Sequence, residues 1–319
     1  MSPERRVLLD TDPGIDDALA ILLAVASQEI HLEGLTVVHG NCSLEQGVSN
    51  ALAVLELASA GDVPVVPGFP RPLVQPPLIA DETHGPNGLG YAELDLPRSH
   101  ALETHAVDFI IEKVLSHPGE LTIVAVGPLT NIAIALRREP EIIDAVQEII
   151  IMGGAILHQG NVTPLAEYNT YADPHAAHMV YHSGLPIRLV PLDVTYQCIL
   201  TAEHVDRLLA HKSPIATFIA EATRFYMEFH DHYQSVKGCV INDPLALSLV
   251  FKPELCEYQT LHVDVDISGG VSMGNTFADF YNVVKQAPKM RVALDVRPED
   301  FIQLFLERME GLMESLKRE

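Results

Sequence analysis

The chain has 319 residues, of which 48% are hydrophobic, so it is long enough to form one large domain with a sizeable core. Acidic residues number 43 against 20 Lys and Arg, and the formal net charge of −23 excludes a basic surface for nucleic acid or an anionic membrane. No apolar run approaches a membrane span, no signal peptide is expected, and the four cysteines form no Cys-x-x-Cys pair. A cytoplasmic protein with reduced thiols is therefore expected.

Strand-like and helix-like segments alternate through the first half of the chain. Strands are predicted over residues 7–9, 35–39, 63–66, 121–126 and 148–152, and helices over residues 18–25, 48–60, 106–115 and 129–136. Residues 68–98 are rich in Pro and Gly and are predicted to form a long irregular loop.

The second half continues the alternation and then becomes helical. A second irregular loop is predicted over residues 153–170, followed by a helix over 174–181, a strand over 187–191 and helices from 201 to 250. Late strands are predicted over 261–266, 280–284 and 290–295, and a terminal helix over 298–316. This order predicts a single α/β domain spanning residues 1–319, with a mainly parallel central sheet flanked by helices.

Four carboxylates fall within eight residues near the start of the chain, in the run VLLDTDPGIDDALA. Asp10 and Asp12 follow an apolar strand, and Asp16 and Asp17 open the next helix. This edge of an open α/β sheet is where ligands usually bind. Carboxylates this close repel one another, and a bound hard cation such as Ca²⁺ or Mg²⁺ removes the repulsion.

A plainer interpretation accounts for half of this cluster. Asp16 could serve as a helix N-cap, and Asp17 could complement the helix dipole. That interpretation leaves Asp10 and Asp12 unexplained at the end of an apolar strand. The metal hypothesis is therefore favoured over the capping hypothesis.

Further oxygen-bearing side chains follow other predicted strands. Each one taken singly is more typical of a cap or a turn. Together they form a set on the same sheet edge as the aspartates, and its members are Asn41, Thr130, Asn131, Asn161, Glu167, Asn169 and Asp243.

The motifs that contain these residues resemble the inosine–uridine nucleoside hydrolase family. The matching segments, in order, are DTDPGIDDALAILLA, VHGN, DETHGPNGLG, VGPLTNIA, IMGGA, GNVTPLAEYN and NDP, and they span residues 7 to 250. The first motif is specific, GNVTPLAEYN is nearly so, and the others are supportive. The fold that this resemblance implies is an α/β core, in agreement with the prediction from alternation.

The resemblance implies a Ca²⁺-dependent enzyme of nucleoside salvage or catabolism, which cleaves the N-glycosidic bond of ribonucleosides to a free base and ribose. By matching position, Asp12 is implied to be the general base for a water held on the metal, with Asn41 orienting that water or the metal shell. The implied metal ligands are Asp10, Asp17, Asp243 and the backbone carbonyl of Thr130. Relatives are commonly oligomers, so a homodimer or homotetramer is expected.

The resemblance also implies which residues bind the substrate. The implied ribose-binding residues are Asp16, Asn161, Glu167 and Asn169, and Met152 and Tyr226 are also expected at the substrate. Cleavage of this kind passes through an oxocarbenium-like sugar, whose positive charge carboxylates stabilise. A network specific for hydroxyls should reject 2′-deoxy sugars.

The chain departs from the family immediately before the late aspartate. Many relatives have a histidine there that protonates the leaving base, whereas this chain has Asn242. An amide cannot give up a proton near neutral pH, and a positioned general acid is worth about 10²–10⁴ in rate. Tryptophans that stack on a purine in another branch are excluded, because the chain contains no Trp.

Three interpretations of Asn242 remain open. A replacement acid is favoured, with His84 in the DETHGPNGLG loop and His230 and His232 in MEFHDHYQS as candidates. The second is an N-riboside with a better leaving group, of the nicotinamide riboside type. The third is a binding protein with weak turnover, against which the intact Asp12 argues. Three further histidines, His175, His178 and His182, also recur at helical spacing. The favoured interpretation is that they lie on a solvent-exposed face of a helix.

Two other classes of protein compete with the hydrolase. An aspartyl phosphatase also begins with Asp-x-Asp after a strand, but it needs a Lys to neutralise phosphate, and basic residues are scarce near the proposed site. The other is a module that binds Ca²⁺ or ribose without catalysis. Release of free ribose would identify the hydrolase, and release of phosphate from a phosphomonoester would identify the phosphatase.

Overall fold

Strands and helices alternate along most of the chain in the computed structural model, which describes residues 4–287 and 289–318. The strands β1 to β12 span Arg5–Thr11, Ile30–Val37, Val65–Pro67, Leu121–Ala125, Glu148–Met152, Ile187–Val190, Ile199–Leu200, Cys239–Val240, Cys256–Leu261, Val263–Val265, Thr276–Ala278 and Met290–Val296. The helices α1 to α13 span Ile15–Ala26, Leu44–Leu57, Asp81–His84, Ala106–Ser116, Thr130–Arg138, Ile142–Ala145, Tyr168–Ala172, Pro174–Tyr181, Leu192–Thr195, Ala202–Leu209, Pro214–Gln234, Asn242–Ser248 and Pro298–Leu316, and a 3₁₀ helix spans Pro253–Leu255.

Eight of these strands form the central sheet, in the order β3-β2-β1-β4-β5-β6-β12-β9. All neighbours pair in parallel except β12 and β9, which are antiparallel. The predicted single-domain α/β fold with a mainly parallel sheet is therefore confirmed. Two small antiparallel ribbons, β7–β8 and β10–β11, lie outside the sheet.

The alternation of β1 side chains shows how helices cover both faces of the sheet. Val7 and Leu9 are fully buried in one core with α1, α2, α12 and α13, and Leu8 is fully buried in a second core with α4, α5 and α8. Successive strand residues point to opposite faces, so an uninterrupted apolar run is what a doubly covered strand requires.

The strand order reverses beside β1, and this reversal positions the site. The chain runs from β1 outwards through β2 to β3, and later from β4 outwards through β5 to β6. At the end of β1, Asp10 pairs with Thr36 of β2 and with Ala125 of β4. The loops that leave β1, β2 and β4 diverge there, which opens a crevice at the carboxyl ends of the strands.

One predicted strand is wrong. Residues 280–284 form a turn, because the Asp279 carboxylate accepts hydrogen bonds from the backbone N–H groups of Tyr281, Val283 and Val284. Tyr281 and Val283 are 90% and 75% exposed, so their β-prone side chains gain nothing from a sheet. The antiparallel partner of β10 is instead β11, a few residues earlier.

Local contacts also modify the predicted loops. The loop over 68–98 contains the one-turn helix α3, and the loop over 153–170 ends in α7, with Glu167 as its N-cap. The edge strand β9 was not predicted. No helix among the described residues has the length and apolarity to cross a membrane, and all four cysteines are buried and unpaired.

Candidate active site

The turn between β1 and α1 holds its aspartates by backbone contacts. Asp17 Oδ2 accepts hydrogen bonds from Gly14 N at 3.0 Å and from Asn41 Nδ2 at 2.9 Å, and its Oδ1 accepts one from Thr11 Oγ1 at 2.5 Å. Gly14 is the N-cap of α1, so the alternative that made Asp16 the N-cap is wrong, and Asp17 receives the N-cap N–H instead. The carboxylate of Asp17 is thereby fixed in the first turn of the helix.

Asp12 is buried between the backbones of two glycines. Its Oδ2 accepts the N–H of Asn41 at 2.8 Å, and its Oδ1 is buried with no hydrogen-bond partner in the described part of the chain. A Cβ added to Gly40 would collide with Oδ2, and one added to Gly127 would lie 2.6 Å from Oδ1. Burial, followed by the charge of Asp17, raises the pKa of Asp12 well above its usual value.

Three buried carboxylates converge beside Asp12. Oxygens of Asp16, Asp17 and Asp243 all lie within 4.8 Å of one another. Burial is the largest cause that raises the pKa of each, and the charge of Asp16 raises those of both Asp17 and Asp243 further. We call Asp12, Asp16, Asp17 and Asp243 the carboxylate floor. Such a set of oxygens is costly to ionise alone and is suited to a hard divalent cation.

The other two predicted metal ligands have different surroundings. Asp10 Oδ2 accepts hydrogen bonds from Thr36 Oγ1 at 2.6 Å and Asn131 Nδ2 at 2.9 Å, and burial raises the Asp10 pKa to about 7. Asp10 is not one of the three converging carboxylates, although its Oδ1 is buried without a partner among the described residues. Thr130 is buried at the start of α5, where its hydroxyl donates to Asp173 Oδ2 at 2.7 Å.

The crevice above the floor is a cavity of about 1080 Å³, large enough for a nucleoside. Its lining includes most of the predicted substrate and catalytic residues: Asp16, Asn41, His84, Met152, Asn161, Glu167, Asn169, Tyr226, His230, Asn242 and Asp243. Asp12 and Asp17 are buried and are not among the lining residues, so the floor reaches the cavity through Asp16 and Asp243. His232 is exposed on α11 and faces a shallow surface recess with Tyr233, so the structure does not bring it into the cavity.

One wall of the cavity comes from the loop and helix that follow β5. The Glu167 carboxylate caps α7 and accepts four hydrogen bonds, from Gly154 N, Asn169 N, and Thr170 N and Oγ1. Asn169 Nδ2 donates to the carbonyls of Val126 and Met152 at 2.7 and 3.2 Å, which leaves its oxygen for a ligand. Asn161 is exposed, and its side-chain oxygen accepts Tyr168 N at 2.9 Å.

The opposite wall is made by His84 of α3, Tyr226 and His230 of α11, and Asn242 of α12, and we call it the histidine wall. The Tyr226 ring lies between the two imidazoles, with ring centroids 5.3 Å from His84 and 4.4 Å from His230. Asn242 Nδ2 donates to Asp16 Oδ2 at 2.8 Å, while Asn242 Oδ1 is buried and unpartnered within the described residues. The wall is thus joined to the carboxylate floor through Asp16.

Backbone contacts assign the protonation of both histidines. Ile15 N donates to His84 Nδ1 at 3.0 Å, so the hydrogen of the neutral His84 ring lies on Nε2. His230 Nδ1 lies 2.8 Å from the Tyr226 carbonyl and must donate to it, so its Nε2 is an acceptor. Burial lowers the pKa of each ring to about 4, and both are neutral at pH 7.

Some site residues carry no signal that sequence reasoning used. Thr36 holds Asp10 together with Asn131, and whereas Asn131 belonged to the predicted set, Thr36 lies within an apolar strand that gives no such signal. Tyr196 lines the cavity from the segment after α9, where no motif marks it. Thr36 could have been identified as a partner of Asp10 if the order of the neighbouring strands β2, β1 and β4 had been known.

Comparison with known proteins assigns the arrangement to a family. The family model described as inosine-uridine preferring nucleoside hydrolase matches residues 7–303. The pyrimidine-specific ribonucleoside hydrolase RihA of Citrobacter koseri is 37% identical over 304 residues, which cover 95% of this chain and 97% of that protein. An uncharacterized protein of Schizosaccharomyces pombe is 36% identical over 96% of this chain and 99% of its own length.

Solved structures agree with the sequence relatives. The purine-preferring ribonucleoside hydrolase from Gardnerella vaginalis superposes with a TM-score of 0.93 at 34% identity, covering 98% of this chain and all of that one. The plant nucleoside hydrolase PpNRh1 superposes with a TM-score of 0.92 at 36% identity, covering 96% and 99%. The chain is therefore a hydrolase that acts on N-glycosyl compounds, and it belongs to the inosine-uridine preferring nucleoside hydrolase family.

Proposed function

We propose that this protein is a Ca²⁺-dependent ribonucleoside hydrolase in which Asp12 is the general base. The observation that carries the proposal is a set of converging buried carboxylates, of which Asp16 and Asp243 line a nucleoside-sized cavity. A hard cation is preferred where all the ligands are oxygens. The size and flexible coordination geometry of Ca²⁺ suit a site built from carboxylates and a carbonyl. Asp17, Asp243 and the carbonyl of Thr130 would hold it, with Asp16, Asp12 and Asp10 adjacent.

The surroundings of Asp12 suit the role of a base. Asn41 N–H occupies Oδ2, so Oδ1 is the oxygen available for a proton from the attacking water. A raised pKa makes this carboxylate a stronger base than an exposed aspartate. A bound cation would lower the pKa of that water and neutralise the floor. Carboxylates around the anomeric carbon would stabilise the oxocarbenium-like sugar.

Ribose would be held between the floor and the wall that contains Glu167. Among the described residues Asp16 accepts two side-chain hydrogen bonds, both at Oδ2, so its other oxygen would accept a sugar hydroxyl. Asn169 presents its oxygen, while Asn161 and Met152 line the cavity beside it. The Glu167 carboxylate is engaged by four protein donors, so its first role is to fix α7 and Asn169.

The histidine wall would receive the leaving base. His84 offers an Nε2–H donor, and His230 and Asn242 offer the acceptors Nε2 and Oδ1, so the wall can read a base edge with both kinds of group. With a pKa of about 4, His84 would stabilise the departing base by a hydrogen bond and would rarely carry a full extra proton at pH 7. Tyr226 would pack against the base.

A second candidate is an N-riboside whose leaving group is already good, such as nicotinamide riboside. The observation that favours it is the combination of Asn242 with two neutral histidines, because a cationic base departs without protonation. A pyrimidine-specific relative and a purine-preferring relative both match nearly the whole chain, so natural bases of both classes are substrates to test.

Release of reducing sugar tests these proposals directly. Inosine, adenosine, guanosine, uridine, cytidine and nicotinamide riboside are each incubated with Ca²⁺, and again with a chelator. Chelator-sensitive release from natural nucleosides supports the first proposal, and release from nicotinamide riboside alone supports the second. Turnover that persists in chelator contradicts the role of the cation, and absence of release from all six contradicts both substrate classes.

A further inference from the structure

We propose that His178, His182 and Asp264 form a second metal site, outside the cavity, for a borderline divalent ion of the Zn²⁺ type. His178 Nδ1 and His182 Nε2 each lie 2.9 Å from Asp264 Oδ1. The three candidate ligand atoms all lie within 4.8 Å of one another. None of the three residues lines the cavity, so the site is independent of the proposed hydrolase chemistry.

The distances fit an ion of this size. Zn²⁺ binds imidazole nitrogen at about 2.0–2.1 Å and carboxylate oxygen at about 2.0–2.2 Å, which puts tetrahedral ligand atoms about 3.3 Å apart. The two nitrogens therefore need to move away from Asp264 Oδ1 by only a few tenths of an ångström. Each nitrogen now donates a hydrogen to that oxygen and would lose it on binding, either to the other ring nitrogen or to solvent.

The backbone places these three side chains together. His178 and His182 are four residues apart, so they lie on one face of α8, and His182 is the residue that ends this helix. The partial negative charge of the helix C-terminus favours a cation there. Asp264 belongs to β10, where Val265 N holds its Oδ1 at 2.7 Å. The helix face that was predicted to be solvated therefore also contacts Asp264.

The composition of the site selects a different ion from the carboxylate floor. Two imidazoles and one carboxylate suit Zn²⁺ and similar ions, whereas oxygen-only ligands suit Ca²⁺. The side chains of His178, His182 and Asp264 are 35%, 41% and 24% exposed, so an ion can enter and water can complete its coordination. His262, whose ring lies 6.0 Å from that of His182, is the nearest additional imidazole described.

A bound ion would connect α8 with β10, and both elements contact other parts of the fold. At its other end α8 is capped by Asp173, which holds the Thr130 hydroxyl. The partner strand of β10 carries Thr276, whose Oγ1 accepts Ala155 N at 2.7 Å. Binding to the folded state alone would stabilise it by mass action, and an ion at 100 times its Kd would raise the Tm by about 4 °C in a chain of this size.

Zn²⁺ titration into the Ca²⁺-saturated protein tests this proposal. Affinity is measured by competition with a chromophoric chelator at pH 7.5, and the Tm is measured with and without Zn²⁺. The variants are His182→Ala and Asp264→Asn, and the matched control is His100→Ala, which removes an exposed histidine elsewhere. Co²⁺ binding, followed by its visible absorption, gives a second readout that is independent of hydrolysis.

The expected result is one Zn²⁺ bound by the wild type and by His100→Ala, with affinity at least about 10-fold weaker in His182→Ala and Asp264→Asn. The Zn²⁺-dependent rise in Tm and the Co²⁺ absorption should be lost in the same two variants. Equal Zn²⁺ affinity in the wild type and both site variants would overturn the proposal. Absence of wild-type binding tighter than about 100 µM in the presence of Ca²⁺ would also overturn it.

Discussion

The carboxylate floor and the histidine wall solve opposite electrostatic problems at the two sides of one cavity. In the floor, burial raises the pKa values of aspartates and makes their negative charges costly. In the wall, burial lowers the pKa values of His84 and His230 and keeps them neutral. The floor therefore calls for a cation, and the wall offers uncharged donors and acceptors. The comparison teaches that charged and uncharged polar groups are segregated within the site, which under the proposed function would separate charge chemistry from base recognition.

The largest expected effect is the loss of activity when the 2′-hydroxyl is removed from the substrate. This change leaves the base unaltered, so it tests the sugar-binding groups separately from the histidine wall. We expect kcat/KM for 2′-deoxyuridine to be about 10⁴-fold below that for uridine, or the same ratio for another accepted base, since buried polar groups such as those of Asp16 and Asn169 would be left unpaired. The two substrates share a base, so the histidine wall contributes equally. A ratio under 10-fold would mean that the floor does not read the 2′-hydroxyl.

The next effect is the loss of the proposed base. We expect Asp12→Asn to lower kcat by about 10³-fold while Ca²⁺ binding remains largely intact, because the amide cannot accept the proton of water. Steady-state kinetics and Ca²⁺ titration measure the two properties separately. The exposed Asp62→Asn is the control and should leave both unchanged. Normal turnover in Asp12→Asn would remove Asp12 from its role.

The pH dependence of stability tests the wall. The His230 pKa is about 4 in the folded protein and 6.5 as the ordinary value, so below pH 6.5 the unfolded chain takes up the proton first. The contribution of the neutral His230 ring to the free energy of unfolding is complete above pH 6.5 and is lost as the pH falls towards 4. Relative to His230→Asn, which does not titrate, the wild type should lose about 3 kcal/mol of unfolding free energy across this window.

Denaturant unfolding at several pH values in chelator provides that measurement. The exposed His100→Asn serves as control, and its difference from the wild type should not change with pH. Asp10 responds in the opposite direction, because its pKa of about 7 lies above its ordinary value and acid relieves its buried charge. A pH-independent difference for His230→Asn would show that the His230 pKa is the same in the folded and unfolded chains, and would contradict a folded value of about 4.

The smallest of these effects tests the geometry of the floor without changing its charge. The added methyl group of Gly40→Ala would collide with Asp12 Oδ2, and we expect kcat to fall by about 10²-fold through displacement of this carboxylate. Gly270→Ala is the control, because nothing lies within 4 Å of a Cβ added there. Equal activity in the two variants, with Gly40→Ala folded by circular dichroism, would contradict the tight placement of Asp12.

Local patterns predicted the floor better than the wall. Asp12, Asp16 and Asp17 belong to one strand–turn–helix unit whose apolar strand and Pro-Gly turn are legible without tertiary information. The wall joins α3 to α11 and α12, which follow it more than a hundred residues later in the chain. His230 and His232 are two positions apart on α11, and only packing decides that the first is buried and the second exposed.

The sequence by itself determined the α/β alternation, the carboxylate cluster and the family resemblance, because each depends on contacts within a few residues or on short motifs. The tertiary structure decided which carboxylates converge, since Asp243 joins Asp16 and Asp17 while Asp10 is held by Thr36 and Asn131. It also decided the tautomers of the two buried histidines and the approach of Asp264 to α8. These features depend on strand order and helix packing, which bring distant residues together after the local elements have formed.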